Sequence, residues 1–421
     1  MIIPSIDISR GRAVQLRRGR ELLLEGGDPL DRLAEFSVAG EVAVIDLDAA
    51  RGEGDNGDLI RRMVRLARCR VGGGIRTVEA AREWLDAGAE RVIIGTAASV
   101  DFCSQLPRER VIAAVDAERG QVVVEGWETD TGVAVLDLIG ELAPVVGGFL
   151  FTQVEHEGAM AGFDLDVVKT AVAAAGTARV TAAGGITTPQ EIGRLHAIGA
   201  DAQVGMALYS GALPLGQAIG APLAKPVDGG LWPTVVVDET GGSLGLVWST
   251  RESLVEAAAR RRGVYWSRSR RELWVKGATS GATQELLAVD LDCDGDALRF
   301  TVRQHEPGFC HTGDRACWWS DFDLAALDRV IAERIAAPDP ESGTTKLLSN
   351  PDLLRAKLLE EAEELAETKT AGHAIHETAD LFYFALVRLR LAGGSLADLN
   401  QELANRSRRV GRRPMRARGT Q

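Results

Sequence analysis

Residues 71–97 read VGGGIRTVEAAREWLDAGAERVIIGTA and residues 180–207 read VTAAGGITTPQEIGRLHAIGADAQVGMA. Gly73-Gly74-Ile75 of the first stretch returns 111 residues later as Gly184-Gly185-Ile186, and Gly88 returns as Gly199 at the same offset. Gly95 of IIGTA matches Gly205 of QVGMA at an offset of 110, and Asp7 in PSIDI matches Asp116 in AAVDA at 109. A unit of about 110 residues therefore occurs twice within roughly the first 215. Short apolar strands such as VAVIDLDAA and RVIIGTAAS alternate with amphipathic helices such as TVEAAREWLDAGA, the pattern of βα units on a parallel sheet. Each copy has room for four such pairs, and two copies predict a (βα)8 TIM barrel with its reactive groups at the C-terminal ends of the strands.

The repeated positions carry chemistry. GGGIR and AGGIT, each followed by a helix, place backbone N–H groups where glycine lets a phosphate approach and the helix N-terminus favours negative charge. Gly73, Gly74 and Gly95 form one candidate phosphate site, and Gly184, Gly185 and Gly205 the other, on opposite sides of the barrel mouth. One Gly-Gly-Ile alone is no more than a strand-to-helix turn; the matched register of two is what points to two phosphates. Asp7 and Asp116 each end an apolar strand, and a paired acid and base is what opening a sugar ring and moving a proton requires.

Beyond the repeat, a chain of 421 residues predicts two or three domains. A net charge of -12 leaves no general basic surface for nucleic acid. The single basic run, RSRRVGRRPMRARGTQ, reads as a solvated tail. The start MIIPSIDISRG lacks a basic segment followed by a cleavable apolar run, and no uncharged apolar stretch of membrane-spanning length appears. The expectation is a soluble, cytoplasmic protein with reduced thiols and no membrane contact. The Gly/Pro-rich stretch at about 211–230 and the turn-rich APDPESG at 337–343 interrupt the pattern. They divide the chain into a barrel at 1–222, a small, mainly β domain at 223–320 and an all-α domain at 321–421.

Three of the five cysteines, Cys293, Cys310 and Cys317, fall in DLDCDGDALRFTVRQHEPGFCHTGDRACW at 290–318. An odd number of thiols argues against a disulfide framework and for metal. Read as a strand, DLDCDGD sends Asp292, Asp294 and Asp296 to one side and Cys293 to the other. Hard carboxylates suit magnesium and thiolates suit zinc. Three thiolates leave zinc an open position for water, with His311 as a candidate fourth ligand or base. Further on, KLLEEAEELAET and HETADLFYFALVRL are helical by period. Glu361 and Glu364, three apart, share one helix face, as do Glu377 and Asp380, while Glu360 pairs with Glu364 at i, i+4. Such acids repel unless a cation joins them, which suggests magnesium and a polyphosphate.

Three families resemble these stretches. MIIPSIDISRGRAVQL, DLDAARGEGDN, VEGWE and the two glycine segments are similar to the histidine-biosynthetic isomerase that converts the aminoaldose ProFAR to the ketose PRFAR. The resemblance implies Asp7 as base, Asp116 as acid and a substrate with two phosphates. The chain departs from many relatives at FTQVEHEGAMAG, where His156, Glu157, Gly158 and Ala159 stand in place of Asp-Gly-Thr after a basic residue. YWSRSRRELWVKGATSG, DLDCDGDALRF and CHTGDRACW resemble phosphoribosyl-AMP cyclohydrolase. That resemblance implies zinc on the three cysteines with ligands from two subunits, magnesium on the aspartates, and a homodimer formed through this domain. Ala278 stands where many members have glutamate, and Lys276 is a candidate phosphate contact. The ExxE, twelve residues, ExxD arrangement resembles phosphoribosyl-ATP pyrophosphatase, a helical relative of the MazG-type pyrophosphohydrolases, with Phe384 where that family often has histidine. Together the resemblances imply a trifunctional histidine-biosynthesis enzyme acting on small phosphoribosyl nucleotides. Two alternatives stand beside it: a barrel that also accepts phosphoribosylanthranilate, or a barrel that is a non-catalytic scaffold.

Overall fold

The structure, a computed structural model, describes residues 1–17, 21–118, 120–124, 129–154, 162–224, 226, 229–318 and 322–411. Eight parallel strands close on themselves in chain order: Ile2–Ser9, Val42–Asp46, Cys69–Gly72, Arg91–Ile94, Val111–Glu118, Gly148–Gln153, Arg179–Ala183 and Asp201–Val204. The ring is shut by Ile2 opposite Ala202. Inside it, Ile93, Ile112, Leu150 and Ala183 form a small inner core with Ile45 and Ala114. The larger core fills the space between strands and outer helices, the two-shell packing of the TIM barrel the repeat predicts.

The repeat extends further than its glycines. The first strand is continued by an antiparallel hairpin, Arg12–Arg17 with Glu21–Gly27, and the fifth by another, Gln121–Val124 with Thr129–Ala134. Arg12 and Gln121 open these hairpins at the same spacing that separates Asp7 from Asp116. Across the barrel floor, Arg70 donates to the hydroxyl of Thr181, its counterpart in the second copy, at 3.0 Å, and to Glu41 at 2.7 Å.

The Gly/Pro-rich stretch at 211–230 contains a short helix, Leu215–Ile219, packed on the helix Arg251–Arg260. Gly216 makes this approach feasible, since a Cβ there would lie 2.5 Å from Cα of Val255. A four-stranded sheet follows, ordered Ser243–Ser249, Trp232–Asp238, Leu298–Gln304, Gln284–Leu291, with a separate hairpin Val264–Ser267 and Glu272–Val275. Its core, including Tyr265, Leu286 and Phe300, is continuous with that of the barrel.

Five helices complete the described chain: Leu324–Ala336, Gly343–Ser349, Pro351–Glu367, Ala371–Leu391 and Leu396–Ser407. They enclose their own small core of Ile331, Leu347, Leu354, Leu386, Val387 and Leu396. Asp328 anchors them by accepting from Arg390 at 2.6 Å and from the backbone N–H of Leu396 at 3.2 Å. Among the described residues, no helix is long and apolar enough to cross a membrane.

Candidate active sites

Asp7 lies at the C-terminal end of the first barrel strand and Asp116 at that of the fifth. Ring closure puts the eighth strand beside the first and the fourth beside the fifth. Gly205 ends the eighth strand and Gly184 follows the seventh, so this glycine pair borders Asp7; Gly95 and Gly73 follow the fourth and third and border Asp116. Each aspartate thus has its own glycine loops. A cavity at the mouth is lined by Asp7, Ser5, Gln15, Gly184, Gly185 and Gly205, among others.

The two loops share one backbone. Gly73 and Gly184 have φ of 97° and 95°, Gly74 and Gly185 of 70° and 75°, values in which a Cβ is strained. A Cβ on Gly73 would also lie 2.1 Å from the carbonyl oxygen of Asp46. Thr77 and Thr188 cap the helices that follow, Val78–Ala87 and Pro189–Ala197, the latter with a full capping box through Glu191. Gly95 differs: nothing lies within 4 Å of a Cβ there, so its space is open to a ligand.

Asp7 is half-buried at the cavity wall. Burial raises its pKa to about 6, partly offset by the hydroxyl of Ser5, which donates to Oδ1 at 2.9 Å. A carboxyl that ionises near neutrality suits proton transfer. Ser5 escaped the sequence reading, although its place two residues before Asp7 put both on one side of the strand. Next to it, Asp46, Asp48 and Asn56 of DLDAARGEGDN tie down the first strand's end. Asn56 donates to both carboxylates, Ser9 and the N–H of Arg10 donate to Asp48, and the N–H of Gly11 donates to Asn56. His156, Glu157, Gly158 and Ala159 lie outside the described residues, as does most of VEGWE.

In the middle region the strand reading of DLDCDGD is corrected. The strand ends at Leu291, and Asp292, Asp294 and Asp296 occupy the turn before Leu298. Gly295, with φ 73°, reverses the chain, and Asp292 accepts from the N–H of Ala297 at 3.0 Å. The turn, not strand alternation, gathers the three carboxylates to within 4.8 Å of one another. The charge of Asp294 raises the pKa of Asp296. Cys310 and Cys317 are neighbours; a hydrogen bond from the Thr312 hydroxyl lowers the thiol pKa of Cys310, while burial raises that of Cys317. Among the described residues, Cys293 does not join them in a three-ligand set. His311 Nδ1 lies 3.7 Å from Cys310 Sγ. Lys276 is buried, its Nζ 5.3 Å from the Phe309 ring and 5.8 Å from the Trp274 ring, and burial lowers its pKa against the pull of the two thiols.

On the helices, Glu361, Glu377 and Asp380 bring carboxylate oxygens within 4.8 Å of one another. Glu361 and Glu377 are buried, at 7% and 4% exposure, as the apolar surroundings of HETADLFYFALVRL suggest. Burial first, then the charge of Asp380, raises the pKa of Glu361. Glu364 stands outside the set but hydrogen-bonds Glu377, and its pKa is raised by burial and by that neighbour. Glu360 turns to Lys357 at 2.9 Å. The sequence reading missed His373 and His376, which reach Glu377 at 2.9 Å and Asp380 at 3.5 Å; their i, i+4 spacing was the available signal.

Residues 1–214 match the family model for Histidine biosynthesis protein. The chain belongs to that family. This histidine-biosynthesis barrel is followed by matches to Phosphoribosyl-AMP cyclohydrolase at 245–319 and Phosphoribosyl-ATP pyrophosphohydrolase at 324–407. An imidazole-4-carboxamide isomerase of Methanocaldococcus jannaschii is 33% identical over 232 residues, 52% of this chain and 98% of the relative. The Histidine biosynthesis trifunctional protein of Kluyveromyces lactis is 46% identical over 186 residues, 44% of this chain and 23% of the relative. Its namesake in Neurospora crassa is 47% identical over 190 residues, 45% of this chain and 22% of the relative. The chain therefore spans under a quarter of the length of these trifunctional relatives. The cyclohydrolase and pyrophosphohydrolase families generally use metal ions, and both acid sets have the chemistry to hold one, since close carboxylates are relieved by a cation.

Proposed function

We propose that this chain performs three consecutive steps of histidine biosynthesis in the cytoplasm. The helical region cuts pyrophosphate from phosphoribosyl-ATP, the middle region opens the purine ring of phosphoribosyl-AMP, and the barrel isomerises ProFAR to PRFAR. The observation that carries the reading is the pair Asp7 and Asp116 at the ends of opposite barrel strands, each beside its own glycine loops, in a chain that also matches the other two families. Domain limits at 1–222, 223–320 and 321–421 fit this division.

In the barrel, Asp7 takes the proton from the aminoaldose carbon and Asp116 supplies one to the sugar oxygen. Two phosphates anchor on Gly73, Gly74 and Gly95 and on Gly184, Gly185 and Gly205. In the middle region Cys310 and Cys317 hold zinc with Cys293 of a second copy, which accounts for its separation from them in one chain and makes the protein a homodimer. Zinc bound there supplies a Lewis acid that acidifies water. His311 stands beside this set as a base, and Lys276 stabilises the thiolates from below. Asp292, Asp294 and Asp296 take magnesium, as do Glu361, Glu377 and Asp380 with Glu364 hydrogen-bonded behind them.

The test is turnover of ProFAR by D7N and D116N proteins. Each is expected to lose isomerisation by about a thousandfold or more while still binding ProFAR and retaining pyrophosphate release. Normal isomerisation by either variant would remove the assignment, and a wild-type barrel that binds ProFAR without turnover would make it a scaffold.

A further inference from the structure

We propose that Ser5 is a positioning residue for Asp7, pinning one carboxylate oxygen so that the other is presented to the substrate. The inference rests on Asp7 as the proton-transfer group. Ser5 and Asp7 lie two apart on the strand Ile2–Ser9, so both side chains face the barrel interior and both line the cavity. Ser5 is only 5% exposed, and its Oγ lies 2.9 Å from Asp7 Oδ1.

Rotation about the Cβ–Cγ bond of an aspartate is soft and broad, so an unpinned carboxylate would present its lone pairs in many directions. An ionised carboxylate only accepts, so Ser5 must donate whenever Asp7 is ready to act as a base. The hydrogen bond therefore selects both an orientation and a charge state, and opposes the burial that favours the neutral acid.

No charged group in the surroundings duplicates this. The adjoining hairpin strand offers the uncharged Val14 and Gln15, the second barrel strand offers Ile45, and the eighth offers the neutral Gln203. The loop at Gly184 contributes no side-chain charge to the cavity. Helix Met206–Tyr209 brings the phenol of Tyr209, held neutral by burial and by Asp7 itself. The nearby carboxylates of Asp46 and Asp48 are occupied by backbone N–H groups, Asn56 and Ser9.

The experiment measures kcat and kcat/KM for ProFAR isomerisation across pH in wild-type, S5A, S5T and D7N proteins, with thermal melts confirming folding. The S5A limb assigned to Asp7 is expected to move up by about one pH unit, with kcat lowered about tenfold and KM little changed, and S5T is expected to restore both. A profile of folded S5A that superimposes on wild type overturns the proposal. D7N separates the two failures: an active D7N refutes Asp7 as the proton-transfer group, whereas an inactive D7N with an unshifted S5A profile refutes only the role of Ser5.

Discussion

At the residue scale, the molecule treats its five cysteines in two ways. Cys69 and Cys103 are buried in the barrel, and burial pushes the Cys69 thiol up to about 12. Cys293 and Cys317 are exposed and Cys310 is partly so. Reaction with a thiol reagent follows exposure and thiolate character. In chelator-treated, native protein, three thiols are therefore expected to react before any unfolding, with Cys69 and Cys103 silent until denaturant is added. Five reacting at once in the native state would contradict this. Asp7 carries a second expectation. A base with a pKa raised to about 6 is active above that value and protonated below it, so kcat/KM for isomerisation should fall as pH drops through about 6. A profile flat down to pH 4 would place proton transfer elsewhere.

At the element scale, two glycines that look alike in sequence do different work. Gly73 has a positive φ and a carbonyl oxygen 2.1 Å from where its Cβ would be, whereas Gly95 has neither constraint. Gly73→Ala is expected to cost about 3 kcal/mol or more of stability in urea denaturation. Gly95→Ala should leave the unfolding curve within about 0.5 kcal/mol but raise KM for ProFAR, because its methyl enters the phosphate space. Equal destabilisation by both would mean that Gly95 is structural. The acid helices give a parallel test: magnesium should raise the melting temperature of the wild-type chain, and Glu377→Gln should diminish that rise and abolish pyrophosphate release. Much of this scale was legible. The glycine register gave the barrel, and the 3.6 period placed Glu377 on a buried face. The aspartate turn was misread because period-2 alternation continues on paper through Gly295, whose positive φ ends the strand in space.

At the scale of the whole molecule, the end of the described chain returns to the barrel. The N–H groups of Val410 and Gly411 both donate to Asp86 Oδ1 at 2.7 Å, Arg408 meets Glu90 at 3.0 Å, and Arg110 donates to the carbonyl of Arg408 at 2.8 Å. No periodicity could announce these contacts, because they join residues about 300 apart with no shared pattern. Nor could sequence alone show that Cys293 stands apart from Cys310 and Cys317, since their nearness depends on how the chain turns at Gly308 and Gly313. Asp86→Ala removes the acceptor of two N–H groups, so trypsin should cut after Arg408 and Arg409 faster than in wild type while isomerisation is kept. The central claim is that one chain links three reactions. Its most direct test is to incubate the purified protein with phosphoribosyl-ATP, zinc and magnesium and to separate the products by chromatography. The account predicts that PRFAR accumulates; intact phosphoribosyl-ATP, or an arrest at phosphoribosyl-AMP or ProFAR, would contradict it and name the region that fails.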